Sequence, residues 1–225
     1  MATPYVTIIA DEVRSTQDVA SEELQDSDHP VLIVASRQTA GRGRSGSDWW
    51  QAPRGVSASL AFPPGALAVA ETFPLAVGLA VRNAVATVAG ADIQLKWPND
   101  LEFDGAKIGG ILVERSSERT VVGCGLNLWW PEPPSGVGSI FTSDPGPEVG
   151  VWISEGWADE VFSNGAVWDR SEYKAACSTI GQSLTWDPDG LGRAIDVDGE
   201  GGLVVETVGG TMTLRSGEVR TIRPA

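Results

Sequence analysis

Short apolar runs with the length and composition of β-strands recur through the first half of the chain. They occupy residues 5–10, 31–35, 55–62, 93–97, 101–103, 108–114 and 120–128. Several are rich in β-branched side chains, which favours strands that are buried in a sheet. Asp104-Gly105 separates two of the runs and is a strong signal for a hairpin turn.

Helical spacing of apolar residues alternates with these strands. Such patterns occupy residues 71–89, 151–162 and 167–177, and a shorter one extends to about Leu24. Ser15 or Thr16 can cap the short helix, and Pro74 is tolerated in the first turn of the long one. The proline- and glycine-rich segment 129–150 predicts a surface connection rather than packed structure.

The end of the chain has a different pattern. Between residues 182 and 225, short strand-like runs alternate with the turn signals Asp187-Pro188-Asp189-Gly190, Asp198-Gly199-Glu200-Gly201-Gly202, Gly209-Gly210 and Ser216-Gly217. This spacing predicts a tiny β-barrel that leans on the main domain. We therefore predict two domains, residues 1–177 and residues 178–225.

Charge narrows the range of partners. The chain has 225 residues and a formal net charge of −14, and before Arg37 its only Lys or Arg is Arg14. A field of this sign repels polyanions, so we expect no DNA or RNA as a main partner. The sequence contains no secretory signal pattern and no run of eighteen apolar residues, which predicts a cytoplasmic protein without membrane attachment.

Two cysteines do not make a disulfide framework in a chain of this length. Cys124 and Cys177 are better interpreted as small buried apolar groups in a reducing compartment. The sequence has no Walker A, zinc or nucleophile-elbow pattern, and we assign no metal ligand among the protein residues.

The segment Gly41-Arg42-Gly43-Arg44-Ser45-Gly46-Ser47-Asp48-Trp49 carries cations in a glycine-rich loop of an otherwise acidic chain. Glycine lets backbone N–H groups approach a ligand closely, and guanidinium groups make paired hydrogen bonds to carboxylate or phosphate oxygens. This loop therefore predicts binding of a small anion. An isolated Arg-Gly segment can also be a solvated linker or an RNA-binding arm.

Four further segments accompany this loop. They are Ser15-Thr16-Gln17, Lys96-Trp97-Pro98-Asn99-Asp100, Lys107-Ile108-Gly109-Gly110 and Gly123-Cys124-Gly125-Leu126-Asn127. The order and spacing of all five resemble those of biotin protein ligases, in which the glycine loop reads GRGRxGRxW. The resemblance covers residues from about Asp11 to Leu128 and is weaker in the C-terminal part.

The resemblance implies a set of site residues. The residues implied to bind biotin are Ser15, Thr16, Gln17, Gln38, Arg42, Gly43, Arg44 and Lys107. Those implied to bind ATP are Arg42, Trp49, Lys96, Asn99, Asp100, Lys107 and Asn127. Arg44 and Lys107 are the implied catalytic residues, because they would neutralise the biotin carboxylate and the phosphates before these anions react. Mg²⁺ would accompany ATP, near Asp100.

Two positions depart from the family pattern. Gln17 stands where the family usually has asparagine, which keeps the amide but lengthens the side chain. Ser47 stands where a further arginine is common, so the loop carries one cation fewer. Taken alone, Ser15-Thr16-Gln17 could be only a helix cap, and Trp49 or Trp50 could equally be core residues.

The resemblance implies an α/β (α+β) mixed-sheet catalytic domain of the biotin/lipoate ligase type, followed by a small SH3-like β-barrel. It implies activation of biotin with MgATP to biotinyl adenylate and transfer to a lysine of a biotin carrier domain of acetyl-CoA or a related acyl-CoA carboxylase. Only fourteen residues precede Ser15, so we expect no N-terminal DNA-binding domain. A monomer and a homodimer are both compatible with the sequence.

Two alternatives stay open at this point. The first is a lipoyl or octanoyl transferase of the same superfamily, which also modifies a carrier lysine. The second is a noncatalytic protein that binds biotin or a nucleotide, made conceivable by Gln17 and Ser47.

Overall fold

A seven-stranded mixed sheet forms the centre of the structure, a computed structural model that describes residues 4–25, 29–44, 49–67, 69–165, 167–215, 217 and 219–222. Its strands are β1 (Val6–Val13), β2 (Val31–Gln38), β3 (Arg54–Phe62), β4 (Gln94–Lys96), β5 (Asp100–Phe103), β6 (Ala106–Arg115) and β7 (Thr120–Trp129). They lie in the order β1-β2-β3-β7-β6-β5-β4, and only β1 and β2 are parallel neighbours. The β5–β6 hairpin turns at the predicted Asp104-Gly105.

Helices cover both faces of this sheet. They are α1 (Thr16–Gln25), α2 (Phe73–Ala89), α3 (Glu148–Ser163) and α4 (Arg170–Ala176). Val31 and Ile33 of β2 pack in the cluster that contains α1, whereas Leu32 and Val34 belong to the larger core with α2 and α3. A strand buried on both faces reads as a continuous apolar run, which is why this strand was predictable. The mixed sheet with helices confirms the predicted fold class.

Local signals fix the helix ends. Ser15 Oγ accepts a hydrogen bond from the Asp18 N–H at 3.4 Å, so Ser15 caps α1 as predicted. Pro74 lies in the first turn of α2, and that helix ends at Gly90, which has a left-handed φ of 66°. These caps place the start of α1 beside the loop that follows β2.

The segment 129–150 lies mostly at the surface, as predicted, but the expectation that it contains no packed structure is wrong. Ile140 is buried in the main core. The N–H groups of Ile140 and Phe141 donate to the carbonyls of Asn127 and Leu128, at 3.1 and 2.8 Å. The segment therefore folds back along the end of β7, and α3 begins earlier than predicted, at Glu148.

The C-terminal part is a five-stranded antiparallel sheet. Its strands are β8 (Ser183–Trp186), β9 (Gly190–Val197), β10 (Leu203–Thr207), β11 (Gly210–Leu214) and β12 (Val219–Thr221), in the order β11-β10-β9-β8-β12. This arrangement is consistent with an SH3-like domain. Over the described residues, however, β11 and β12 are the two edges, so the sheet is open where a closed barrel was predicted. β12 is only three residues long and pairs with β8.

The two parts of the chain share one core. Leu184, Val197 and Leu203 of the C-terminal sheet belong to the same apolar cluster as Leu75 and Leu95 of the main part. The domain boundary near Ser178 therefore stays a prediction. Among the helices of the described residues, none has the length and apolarity needed to span a bilayer.

Candidate functional site

A cavity of about 310 Å³ lies where the glycine loop, the start of α1, the β4–β5 turn and the middle of β6 and β7 come together. Its volume is at the small end of the range for ligand cavities. Its lining includes every predicted site residue except Asn127: Ser15, Thr16, Gln17, Gln38, Arg42, Gly43, Arg44, Trp49, Lys96, Asn99, Asp100 and Lys107. Segments that are far apart in sequence thus converge on one space. Ser47 lies outside the described residues.

A hydrogen-bond network centred on Gln38 holds the start of α1. Gln38 Oε1 accepts from the Thr16 N–H at 2.7 Å and from Thr16 Oγ1 at 3.0 Å. Gln38 Nε2 donates to Ser57 Oγ at 3.1 Å, and Ser59 Oγ donates to Thr16 Oγ1 at 2.8 Å. Buried polar groups that satisfy each other in this way make a rigid polar wall.

Gln17 presents one unsatisfied atom. Its Nε2 donates to Leu112 O at 3.5 Å and to Glu114 Oε2 at 3.3 Å. Its Oε1 is buried and has no hydrogen-bond partner among the described residues. An unpaired buried acceptor is costly, so this atom is suited to a ligand N–H group.

Arg42 is fastened to two carboxylates. Its guanidinium donates to both oxygens of Glu114, through Nε at 3.2 Å and Nη2 at 3.0 Å. Nη2 also lies 2.9 Å from Asp18 Oδ1, and Nη1 donates to Ser15 Oγ at 3.1 Å. Hydrogen bonds from Glu114 and Asp18 raise the pKa of Arg42. Burial alone would raise the pKa of Asp18, but its interactions with Arg42 and Arg14 together outweigh that effect and lower it.

Arg44 reaches the opposite wall of the cavity. Its Nη1 donates to Asn99 Oδ1 at 3.1 Å. Asn99 is itself held by β6, because its Nδ2 donates to Ile111 O and its carbonyl accepts from the Ile111 N–H, both at 2.9 Å. The glycine loop and the β4–β5 turn are therefore joined across the cavity.

Two lysines sit at the same rim, each beside an acid. Lys107 Nζ lies 2.6 Å from Asp100 Oδ1, and Lys96 Nζ lies 3.5 Å from Glu102 Oε1. Asp100 is the one carboxylate among the described residues that line the cavity, against the cations Arg44, Lys96, Lys107 and Arg220, and Arg42, whose charge is matched by Glu114 and Asp18. In a chain of net charge −14, this balance favours an anionic ligand.

The Trp49 indole lies against the sheet. A Cβ atom on Gly125 would stand 2.5 Å from Trp49 Cζ2, and one on Gly110 would stand 3.8 Å from Cζ3. Gly125 and Gly110 are opposite each other in the β6–β7 register. Trp49 Nε1 is buried without a hydrogen-bond partner in the described part of the chain. Glycine at these positions leaves room for an aromatic ring on the sheet.

Asn127 is not brought into the cavity. It is buried, its Oδ1 accepts from the Ala52 N–H at 3.2 Å, and its Nδ2 donates to Gly138 O at 3.2 Å. Asn127 lies near the end of β7, and its side chain holds two neighbouring backbone segments there. One contains Ala52, just before β3, and the other contains Gly138, after β7.

Sequence reasoning missed several residues of the cavity. Ser57 and Ser59 line it from β3, and Val219 and Arg220 line it from the C-terminal sheet. The serines alternate along a strand that is otherwise apolar, a signal that the sequence did contain. Nothing in the sequence indicated that β12 reaches the cavity.

Comparison with known proteins gives consistent matches. Residues 9–128 match the model of the biotin/lipoate A/B protein ligase family. The chain is similar to a biotin–[acetyl-CoA-carboxylase] ligase of Mycobacterium tuberculosis, with 31% identity over 212 residues, 86% of this chain and 79% of the relative. It is also similar to a ligase of the same name from Paracoccus denitrificans, with 26% identity over 83% of this chain and 88% of the relative.

Solved structures agree with this match. The biotin protein ligase of Aquifex aeolicus in complex with biotin and ATP is 26% identical, with a TM-score of 0.76 over 97% of this chain and 99% of that one. A point mutant of the same Aquifex enzyme, in complex with biotin, has a TM-score of 0.79 at 25% identity over the same shares of both chains.

Proposed function

This chain belongs to the biotin/lipoate A/B protein ligase family, and we propose that it is a biotin protein ligase. In the first reaction, a biotin carboxylate oxygen forms a bond to the α-phosphorus of ATP, and the bond to the β-phosphate breaks to release pyrophosphate. In the second, the ε-amine of a carrier lysine attacks the carbonyl carbon of biotinyl adenylate. An amide forms, the amine loses a proton, and AMP leaves.

The observation that carries this proposal is the convergence of the predicted segments on one cationic cavity. Biotin carboxylate and ATP phosphates repel each other, so a ligase must compensate both charges before they react. Arg44 reaches the cavity from the glycine loop, and Lys96 and Lys107 reach it from the rim. Cations from both sides can hold two anions against each other, and no enzyme nucleophile is required.

The ureido ring of biotin fits the polar wall at the start of α1. Its N–H and C=O groups need partners once they are buried. Gln17 Oε1 is a buried acceptor with no partner in the described part of the chain, and Ser15 and Thr16 offer hydroxyl groups. Gln38 fixes Thr16 and is in turn fixed by Ser57, so it shapes this wall. The Gly43 backbone lines the same cavity.

The nucleotide fits the side formed by Trp49 and the β4–β5 turn. Trp49 supplies a flat face and an N–H that has no partner within the described ranges, and Asn99 supplies an amide beside Arg44. Lys107 is the residue we assign to the reacting carboxylate and α-phosphate, as a compact charge on a rigid hairpin. Asn127 acts indirectly, since its hydrogen bonds hold the surrounding backbone.

Mg²⁺ fits Asp100. No cluster of three or more His, Cys, Asp or Glu side chains that could hold a metal ion occurs in the described ranges. Mg²⁺ bound with ATP needs only one or two protein carboxylates, because phosphates and water complete its shell. Asp100 is the carboxylate in the right place, and the ion would offset phosphate charge when bound.

We propose as acceptor a biotin carrier domain of acetyl-CoA carboxylase or a related acyl-CoA carboxylase. The relatives from Mycobacterium tuberculosis and Paracoccus denitrificans carry that carboxylase in their names, which supports this choice. The cytoplasmic location and the oligomeric state stay predictions.

Mass spectrometry of a purified carrier domain tests the function. After incubation with biotin, MgATP and this protein, the domain should gain the mass of one biotin, and pyrophosphate should be released only when biotin is present. Parallel reactions with lipoate and octanoate test the first alternative. Binding of biotin without pyrophosphate release would contradict the proposal and favour a noncatalytic protein.

A further inference from the structure

The guanidinium of Arg42 already has partners on this protein. Nη2 contacts Glu114 and Asp18, Nε contacts Glu114, and Nη1 contacts Ser15. Arginine has five N–H donors, so these contacts occupy four of them. Two carboxylates around one guanidinium leave no net positive charge for a reacting anion.

The two carboxylates do not belong to the lining of the larger cavity. Neither Glu114 nor Asp18 lines the cavity described above, whereas both line a smaller one of about 190 Å³ together with Gln17 and Arg42. Arg42 lines both cavities: its Nε and Nη2 contact the carboxylates beside the smaller one, and its Nη1 contacts Ser15 beside the larger one. This contrasts with Arg44, whose guanidinium contacts Asn99 at the cavity wall.

Glu114 also contacts Gln17. Its Oε2 accepts from both Arg42 and Gln17 Nε2. A carboxylate only accepts hydrogen bonds, so it forces the NH₂ end of the Gln17 amide toward itself. The other end of that amide, Oε1, is then the atom left without a partner among the residues that the structure describes.

We propose that Glu114 and Arg42 are positioning residues that fasten the glycine loop to α1 and fix the orientation of the Gln17 amide, so that the site presents an acceptor to a ligand N–H. This inference rests on the proposed function, because the N–H concerned is that of the biotin ureido ring. In this arrangement Arg42 does not contact the carboxylate or the phosphates. Glu114, together with the Leu112 carbonyl, sets which end of the Gln17 amide meets the ligand.

The test compares the effect of each substitution on the KM for biotin with its effect on the KM for ATP. Glu114→Gln removes the charge and can donate as well as accept, so only the long hydrogen bond to Leu112 O, at 3.5 Å, still favours the original orientation of the Gln17 amide. We expect the KM for biotin to rise about tenfold or more, as for loss of a hydrogen bond to a charged group. The KM for ATP and kcat should stay within about threefold. Arg42→Gln should show the same split, and Glu114→Asp should recover part of the loss.

Glu118→Gln is the matched control, because it makes the same charge change at an exposed position just beyond β6. Arg44→Gln should instead lower kcat or raise the KM for ATP. Equal rises in both KM values for Arg42→Gln would overturn the proposal, and so would unchanged kinetics for Glu114→Gln.

Two measurements keep the outcome interpretable. Biotin-dependent ATP–pyrophosphate exchange by the unmodified protein is measured first, and its absence would count against the proposed function itself. Thermal unfolding checks that each variant folds. If Glu114→Gln does not fold, Arg42→Lys takes its place, since it keeps one ion pair but loses the paired hydrogen bonds to Glu114. An ATP-specific defect in that variant would also overturn the inference.

Discussion

Lys107 Nζ lies 2.6 Å from Asp100 Oδ1, across the rim of the cationic cavity. The two residues belong to adjacent antiparallel strands, and the Asp104-Gly105 turn between them fixes their separation. The acid therefore holds the lysine in place when no substrate is bound. An incoming carboxylate or phosphate, with Mg²⁺ at Asp100, would exchange partners with this pair without moving the backbone.

Replacement of Lys107 should affect the reaction more than the fold. Lys107→Met keeps the length of the side chain but removes the charge at the reacting oxygens. We expect kcat for pyrophosphate release to fall by about 10²- to 10³-fold, the usual loss when one stabilising group is removed. Lys174→Ala, which removes a positive charge from α4 outside the cavity, should leave kcat close to the original value. Similar kcat values for both variants would contradict this role.

Gly125 and Gly110 make a matched pair for testing the place of Trp49. They face each other on β7 and β6 and both line the cavity. A Cβ on Gly125 would stand 2.5 Å from the indole, whereas one on Gly110 would make ordinary contacts of 3.6 to 3.8 Å. Gly125→Ala should displace Trp49 and lower kcat/KM by about 10²-fold, the scale for a misplacement of about 1 Å. Gly110→Ala should have a much smaller effect in the same steady-state assay.

The C-terminal sheet should support the site through Trp97. The Trp97 N–H donates to Thr179 Oγ1 at 2.9 Å, and the indole N–H donates to Gly201 O at 2.9 Å. Thr179→Val keeps the side-chain shape but leaves the buried N–H unpaired, which costs about 1–3 kcal/mol. We expect a lower free energy of unfolding in urea and a reduced kcat/KM, although Thr179 does not line the cavity.

Thr207→Val is the control for that experiment. Its hydroxyl also accepts from a backbone N–H, that of Gly209 at 3.2 Å, and donates to Gly210 O at 2.8 Å, but in an exposed hairpin of the C-terminal sheet. It should change neither the free energy of unfolding nor the activity appreciably. A loss of stability without any loss of activity in Thr179→Val would show that the rim does not depend on this contact.

The sequence was most informative where one local rule decided the structure. β2 is buried on both faces and therefore reads as an unbroken apolar run. Asp104-Gly105 specifies the turn between β5 and β6 directly. The predicted cavity residues belong to short motifs, and the order of these motifs along the chain is enough to suggest that they meet at one site. Their grouping around one cavity matches that expectation.

The residues that the sequence did not reveal are placed by pairing between segments that are far apart along the chain. Ser57 reaches the cavity because β3 pairs with β7 so that Ser57 lies opposite Gly125. Asn127 is turned away from the cavity toward the backbone of Ala52 and Gly138 by the same kind of non-local pairing. Glu114 looked like an ordinary strand-end acid, and only its distances to Arg42 and Gln17 distinguish it.

An ion pair between the start of β3 and the segment 129–150 lies outside the cavity, and it leads to a prediction about pH. Arg54 at the start of β3 donates to both carboxylate oxygens of Asp144, at 2.8 and 2.9 Å, and the Gly146 N–H donates to the same carboxylate at 3.0 Å. The Arg54 hydrogen bonds, followed by that of Gly146, lower the pKa of Asp144 to about 2.

An Asp whose pKa is lower in the folded state than the unfolded value of about 3.9 stabilises the fold above that value. Its contribution is lost as pH falls through the folded pKa. Asp144→Asn should therefore reduce the free energy of unfolding in urea at pH 7, and the difference from the unmodified protein should shrink between pH 4 and pH 2. Glu132→Gln, an exposed acid in the same segment, serves as the control. A difference for Asp144→Asn that stays constant with pH would show that the carboxylate charge does not hold this segment against β3.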